Sequence, residues 1–134
     1  MLSGGCFCGF VRYEIAAAPY SETCCHCSIC RRTSGAPFVA WFSVPLGDYR
    51  LVSGEPASFQ SSDHATRTFC PRCGTPLSFR SRNSPSEIDV TTCSLDMPQA
   101  LPPRDHTYTS SRLGWVELAD DLPSYPEARP EPSG

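Results

Sequence analysis

No stretch of this chain approaches the ~20 consecutive apolar residues that a membrane-spanning helix requires, so no membrane role is expected. The first residues, Met1-Leu2-Ser3-Gly4-Gly5-Cys6, lack both the basic and the apolar regions of a secretory signal. A cytoplasmic location is the expectation. Positive charge is short as well: 11 basic against 14 acidic residues give a formal net charge of −3. That balance argues against a nucleic-acid partner, because domains that bind DNA or RNA turn a basic patch to the phosphates. Helical periodicity is weak throughout, and no internal repeat stands out. The 14 prolines, about one residue in ten, would interrupt any long helix.

What is present fits one soluble globular domain. The length is 134 residues, with 40% apolar and 19% charged side chains. Segments 11–15, 38–44, 49–52 and 87–91 are rich in β-branched and aromatic residues and are bounded by Gly, Pro, Ser or Asp. Each reads as a strand, with shorter ones expected at 57–60, 66–69 and 77–80. A single turn after Cys27 is the best helical candidate. The predicted class is mostly β with metal knuckles at the loops, over residues 1–122. Residues 123–134 are polar and proline-dense, the composition of a mobile tail.

The nine cysteines carry the chemical information. In an exported chain they would suggest disulfides, but in a reducing compartment closely spaced cysteines read as metal ligands or reactive groups. Seven fall into two sets. Cys6 and Cys8, in Gly-Gly-Cys-Phe-Cys-Gly, pair with Cys70 and Cys73, in Phe-Cys-Pro-Arg-Cys-Gly-Thr-Pro. Two residues between Cys70 and Cys73 let both sulfurs reach one ion, Gly74 permits the following turn, and Gly5 and Gly9 should let the tighter N-terminal pair converge. Four sulfurs make a closed, structural zinc site. Such a site would pin the first strand to a distant hairpin.

The second set, Cys25, Cys27 and Cys30 in Cys-His-Cys-Ser-Ile-Cys, offers three ligands, and a three-ligand zinc keeps a position for a reactant. Two zinc ions against seven thiolates would take the net charge to about −6. The fourth ligand has several candidates: His26, Cys24, Cys93, His64, His106, water or substrate. Three thiolates weaken zinc as a Lewis acid, which disfavours hydroxide generation, yet coordination still deprotonates a thiol outright. A thiol is therefore the natural substrate, unless a protein ligand closes the site. Arg31 and Arg32 follow the last ligand, either as solvated charge or as a fork for a substrate carboxylate.

With both sets in hand, the chain resembles the glutathione-dependent formaldehyde-activating enzyme family, also described as centromere protein V-like. The likeness spans about residues 3 to 122. It rests on Gly4-Gly5-Cys6-Phe7-Cys8-Gly9 with Val11-Arg12-Tyr13, on Cys25 to Arg31, and on Gly35-Ala36-Pro37-Phe38. It continues through Arg67 to Leu77, Ser94-Leu95-Asp96, Ser111-Arg112-Leu113-Gly114-Trp115 and Asp121-Leu122-Pro123. The resemblance implies an Mss4-like β fold with two zinc ions, structural at Cys6, Cys8, Cys70 and Cys73 and catalytic at Cys25, Cys27 and Cys30. It further implies a carbon–sulfur lyase that joins glutathione to formaldehyde, giving S-(hydroxymethyl)glutathione. Two other classes compete. One is a non-catalytic zinc module that carries a small thiol or scaffolds a protein partner. The other is thiol redox chemistry at Cys24 or Cys93, since Mss4-like folds also occur in methionine sulfoxide reductases.

Overall fold

The computed structural model describes residues 1–130. It is mostly β, as the sequence predicts, and its strands form two sheets. Strands β1 (Leu2–Gly5), β2 (Arg12–Ile15) and β5 (Tyr49–Ser53) make an antiparallel sheet in the order β1-β2-β5. The larger sheet holds β3 (Tyr20–Cys25), β4 (Val39–Pro45), β6 (Ala57–Gln60), β7 (Ala65–Phe69), β8 (Pro76–Ser81), β9 (Glu87–Thr91) and β10 (Asp105–Thr107). Its order is β10-β3-β4-β9-β8-β7-β6, antiparallel except for the parallel pair β10–β3. The helix α1 (Ser28–Ser34) runs for about two turns where one was expected. Among the described residues no helix is long and apolar enough to cross a membrane.

The main core unites both sheets. Val11, Tyr13 and Ile15 pack with Phe42 and Val44 of β4, Leu77 of β8, and Ile88 and Val90 of β9. Strand β4 carries four consecutive buried residues, Trp41 to Val44, because both of its faces are covered. Phe42 and Val44 enter the main core, whereas Trp41 joins Cys25 and Cys30 in a second, smaller cluster. One face of the large sheet therefore builds the fold, and the other meets α1 and the three-cysteine run. Period-2 alternation of side chains sorts one sequence onto two tasks.

Strands β1, β3 and β10 lack the expected composition. Leu-Ser-Gly-Gly is a poor strand former, yet β1 pairs in full register with β2, Leu2 opposite Ile15 and Gly5 opposite Arg12. Its glycines answer to crowding rather than to bending. A Cβ on Gly4 would lie 2.4 Å from the Tyr13 hydroxyl, and one on Gly5 would lie 2.2 Å from the Val11 carbonyl oxygen. The turn proper falls to Gly9, at φ 83°.

The proline-dense end differs from a free tail over the part that is described. Ser124 bridges His106, and Tyr125 N–H donates to the His106 carbonyl at 2.8 Å. Arg129 Nε donates to the buried Asp105 carboxylate at 2.5 Å. Sparse apolar content did not foretell these bonds, because they run through backbone groups and one ion pair. Residues 131–134 lie outside the described residues.

Candidate metal centre

The closed set is assembled from two tight turns. In the first, Cys6 N–H donates to the Val11 carbonyl and Gly9 N–H to the Cys6 carbonyl; in the second, Cys70 N–H donates to Thr75 and Gly74 N–H to Cys70. Gly74, at φ 81°, takes the left-handed conformation that the sequence assigns to it. The sulfurs of Cys6, Cys8, Cys70 and Cys73 lie within 4.8 Å of one another. Backbone donors point at them: Val11 N–H to Cys6 Sγ at 3.2 Å, and Arg72 and Cys73 N–H to Cys70 Sγ at 3.3 and 3.4 Å. Hydrogen bonding from Thr75 brings the Cys73 thiol down to about 5. Donors converging on clustered sulfurs are the environment of thiolates, so the residues fit a tetrahedral zinc site.

The open set sits at the junction of β3 and α1. Cys25 ends β3, wedged between Thr107 of β10 and Val39 of β4. Cys27 is the N-cap of α1, its sulfur accepting from Cys30 N–H at 3.2 Å, and Cys30 follows in the first turn. Gly35, at φ 72°, stops the helix with its N–H on the Arg31 carbonyl. The three sulfurs again lie within 4.8 Å of one another, and among the described residues no fourth histidine, cysteine or carboxylate joins them. Crowding splits their acidity: hydrogen bonds from Cys25 and Cys30 drive Cys27 far below an ordinary thiol, while bonds to Cys27 and Cys30 drive Cys25 far above one. Three crowded sulfurs in one short run are ligands a cation can share, and metal binding would deprotonate them.

The protein candidates for a fourth ligand lie apart from the three sulfurs. His26 is fully buried over Phe38, with ring centroids 4.8 Å apart, and its Nε2 meets His106 Nδ1 at 3.0 Å. His106 Nε2 meets Asp120 Oδ2 at 2.8 Å. The carboxylate can only accept, so His106 Nε2–H donates to Asp120, and with a neutral His106 ring His26 Nε2–H donates to its Nδ1. His64 lies exposed in the β6–β7 turn beside Ser62. Cys93 is exposed after β9, and Cys24 is buried with its thiol pushed up to about 11, chiefly by burial. A thiol so weakly ionised is a poor nucleophile. All nine cysteines are free thiols.

Beside the open set lies a cavity of about 400 Å³, walled by Val39, Trp41 and Phe59, by Thr33 of α1, and by Gly74 and Pro76 next to the closed set. The cation on its wall is Arg67 of β7. Its Nη1 and Nη2 approach Cys30 Sγ at 3.8 and 3.7 Å. Arg31 and Arg32 do not line this cavity; Arg31 is half-buried on α1 and Arg32 is exposed. Sequence reasoning passed over Arg67 because its neighbours across the sheet, Phe59 and Phe79, are set by register. The available signal was a cation inside an alternating strand only a few residues before Cys70.

Comparison with known proteins agrees with this picture. The sequence profile of the glutathione-dependent formaldehyde-activating enzyme family matches residues 1–111. A Halomonas elongata protein, provisionally named a glutathione-dependent formaldehyde-activating enzyme, is 30% identical over 127 residues, covering 88% of this chain and 81% of its own. A Schizosaccharomyces pombe protein named as an uncharacterized lyase is 32% identical over 80 residues, 60% of this chain and 58% of that protein. The crystal structure of a Rhodobacter sphaeroides protein superposes with a TM-score of 0.59 at 26% identity, covering 92% of this chain and 98% of that one. The chain belongs to the glutathione-dependent formaldehyde-activating enzyme family.

Proposed function

We propose that this protein is a zinc-dependent carbon–sulfur lyase of the S-(hydroxymethyl)glutathione synthase type, acting in the cytoplasm on glutathione or a similar thiol and formaldehyde. The observation that carries the reading is a set of three sulfurs, without a fourth protein ligand among the described residues, beside a largely apolar cavity. Cys6, Cys8, Cys70 and Cys73 would hold a structural zinc, and Cys25, Cys27 and Cys30 the second ion. Bound at the second set, zinc would supply the charge that keeps an incoming thiol deprotonated at neutral pH.

The chain's own residues do the rest. Cys27, as the N-cap, and Cys30, in the first turn, are fixed by the helix itself, and Cys25 by pairing on both sides of β3. Val39, Trp41 and Phe59 give the cavity an apolar wall, and Arg31 and Arg32, on α1 outside that cavity, add positive charge for an anionic substrate. In the reaction the thiolate sulfur bonds to the formaldehyde carbon, the carbonyl π pair moves to oxygen, and that oxygen takes up the proton the thiol lost. Holding sulfur and carbonyl together makes the step effectively intramolecular.

The test is exchange among glutathione, formaldehyde and their adduct, followed by NMR with catalytic amounts of zinc-loaded protein. Acceleration above the spontaneous rate by the wild type, and none by Cys27→Ser, is expected. Equal rates with and without wild-type protein carrying two zinc ions would overturn the reading.

A further inference from the structure

We propose that Arg67 makes the cavity beside the three-cysteine set a recognition site for a carboxylate carried on the thiol substrate. The inference rests on the reading above and adds to it the residue that would take a carboxylate of the thiol substrate.

Four other arginines, Arg12, Arg50, Arg104 and Arg129, each meet a carboxylate partner. Arg67, like Arg31, Arg32, Arg72, Arg80, Arg82 and Arg112, meets none among the described residues, and of these it alone lines the cavity. It is half-buried on the outer face of the large sheet, with the open sulfur set beside it and no carboxylate partner. A half-buried guanidinium with spare N–H groups gains from an arriving carboxylate.

The side chain is held in place in advance. Its guanidinium carbon stands 5.0 Å from the centre of the Phe79 ring and 5.8 Å from that of Trp41, cation–π contacts that orient the planar group. Nε donates to Ser61 Oγ at 3.2 Å and Nη1 to Thr33 Oγ1 at 3.3 Å. Nη2 has no oxygen partner and faces only Cys30 Sγ, at 3.7 Å. That contact is longer than the 3.2 Å backbone bonds to Cys6 and Cys27. The fork is thus stationed next to the sulfur without being seated on it, and it keeps N–H capacity for a carboxylate. A ligand whose sulfur completes the three-cysteine set would bring a carboxylate on the same short chain to this fork. The carboxylate nearest in the sheet does not take that place. Asp89, opposite Phe79, accepts from Ser43 Oγ at 2.6 Å.

The test is calorimetric titration of zinc-loaded wild type, Arg67→Met and Arg67→Lys with glutathione, its diethyl ester and S-methylglutathione. Metal content is measured for each protein. The expected result is that wild type prefers glutathione to the diester by about tenfold, the scale of one charge-assisted hydrogen-bonded pair. Arg67→Met should lose that preference while binding the diester as wild type does, and Arg67→Lys should keep part of it. If Arg67→Met keeps the preference, or weakens acid and ester alike, the proposal is overturned, the second outcome making Arg67 only a counter-charge for the sulfurs. S-methylglutathione separates the two readings. If it binds wild type as tightly as glutathione and still depends on Arg67, the thiolate reading falls while the carboxylate site stands. Should none of the three bind wild type, both fall.

Discussion

The two cysteine sets use the same atoms in opposite ways. The closed set draws four sulfurs from segments more than sixty residues apart, two of them exposed, and it leaves no vacancy among its ligands. The open set draws three sulfurs from six consecutive residues, none fully exposed, and it is one ligand short. On the proposed function, saturation rather than burial would separate a staple from a reaction site. Ligands brought from afar close a long loop and add to folding, whereas ligands from one short run add little to the topology and are free to be arranged for chemistry.

Breaking the closed set should have the larger consequence. Cys70→Ser, or metal removal by a strong chelator, is expected to forfeit most of the contribution of a structural zinc, on the order of 10 kcal/mol in small peptides. That approaches the whole stability of an ordinary domain, so chemical unfolding followed by circular dichroism should show no cooperative transition. Cys27→Ser should do the reverse. It is expected to lower the metal content from two ions to one and abolish accelerated exchange, while costing only about 1–3 kcal/mol in the same unfolding experiment.

Two glycines sharpen the contrast at smaller scale. Gly74 and Gly35 both sit at positive φ in open space, one beyond each set. An alanine at either position should cost about 1–2 kcal/mol of backbone strain. Gly74→Ala is expected to show it as easier loss of the structural ion to a chelator, and Gly35→Ala as weaker thiol binding with that ion retained.

Acidity offers a further distinction on the open face. Burial pushes the Asp89 carboxyl up to about 6, against 3.8 for a free aspartate. A raised folded-state value means that the unfolded chain gives up this proton first, so the contribution to stability is complete below about pH 4 and is lost as the pH rises through 6. Asp89→Asn should flatten that loss, measured as the difference between variant and wild-type unfolding midpoints from pH 4 to 7. Smallest of all is Arg32→Ala, an exposed charge outside the cavity. A change in glutathione affinity below about twofold is expected by calorimetry.

Much of this organisation was legible in the chain. Strands β6 and β9 occupy the spans expected from the sequence, 57–60 and 87–91, and in β9 the branched Ile88 and Val90 alternate with polar residues. The two sulfur sets were equally plain, since ligand spacing is a local property. What escaped depends on partners distant in sequence. Strand β10 is three polar residues made into a strand by pairing with Cys24 and its neighbours on β3. Arg67 acquires its meaning from Phe79 and Cys30, and His26 from His106, none of which a local pattern announces.

The His26–His106–Asp120 chain has a temporal side. Both turns of the closed set can form once Thr75 has been synthesised, so that half of the molecule has its four sulfurs while the residues after 75 are still to come. The loop carrying Cys25 and Cys27 has to wait: the histidine between them finds its ring partner only when β10 arrives, and that partner finds its carboxylate later still. Chain order therefore places the residues of the closed set before the brace of the open one, and a released chain truncated between residues 80 and 100 would contain both turns of the closed set and neither partner in the His26 chain.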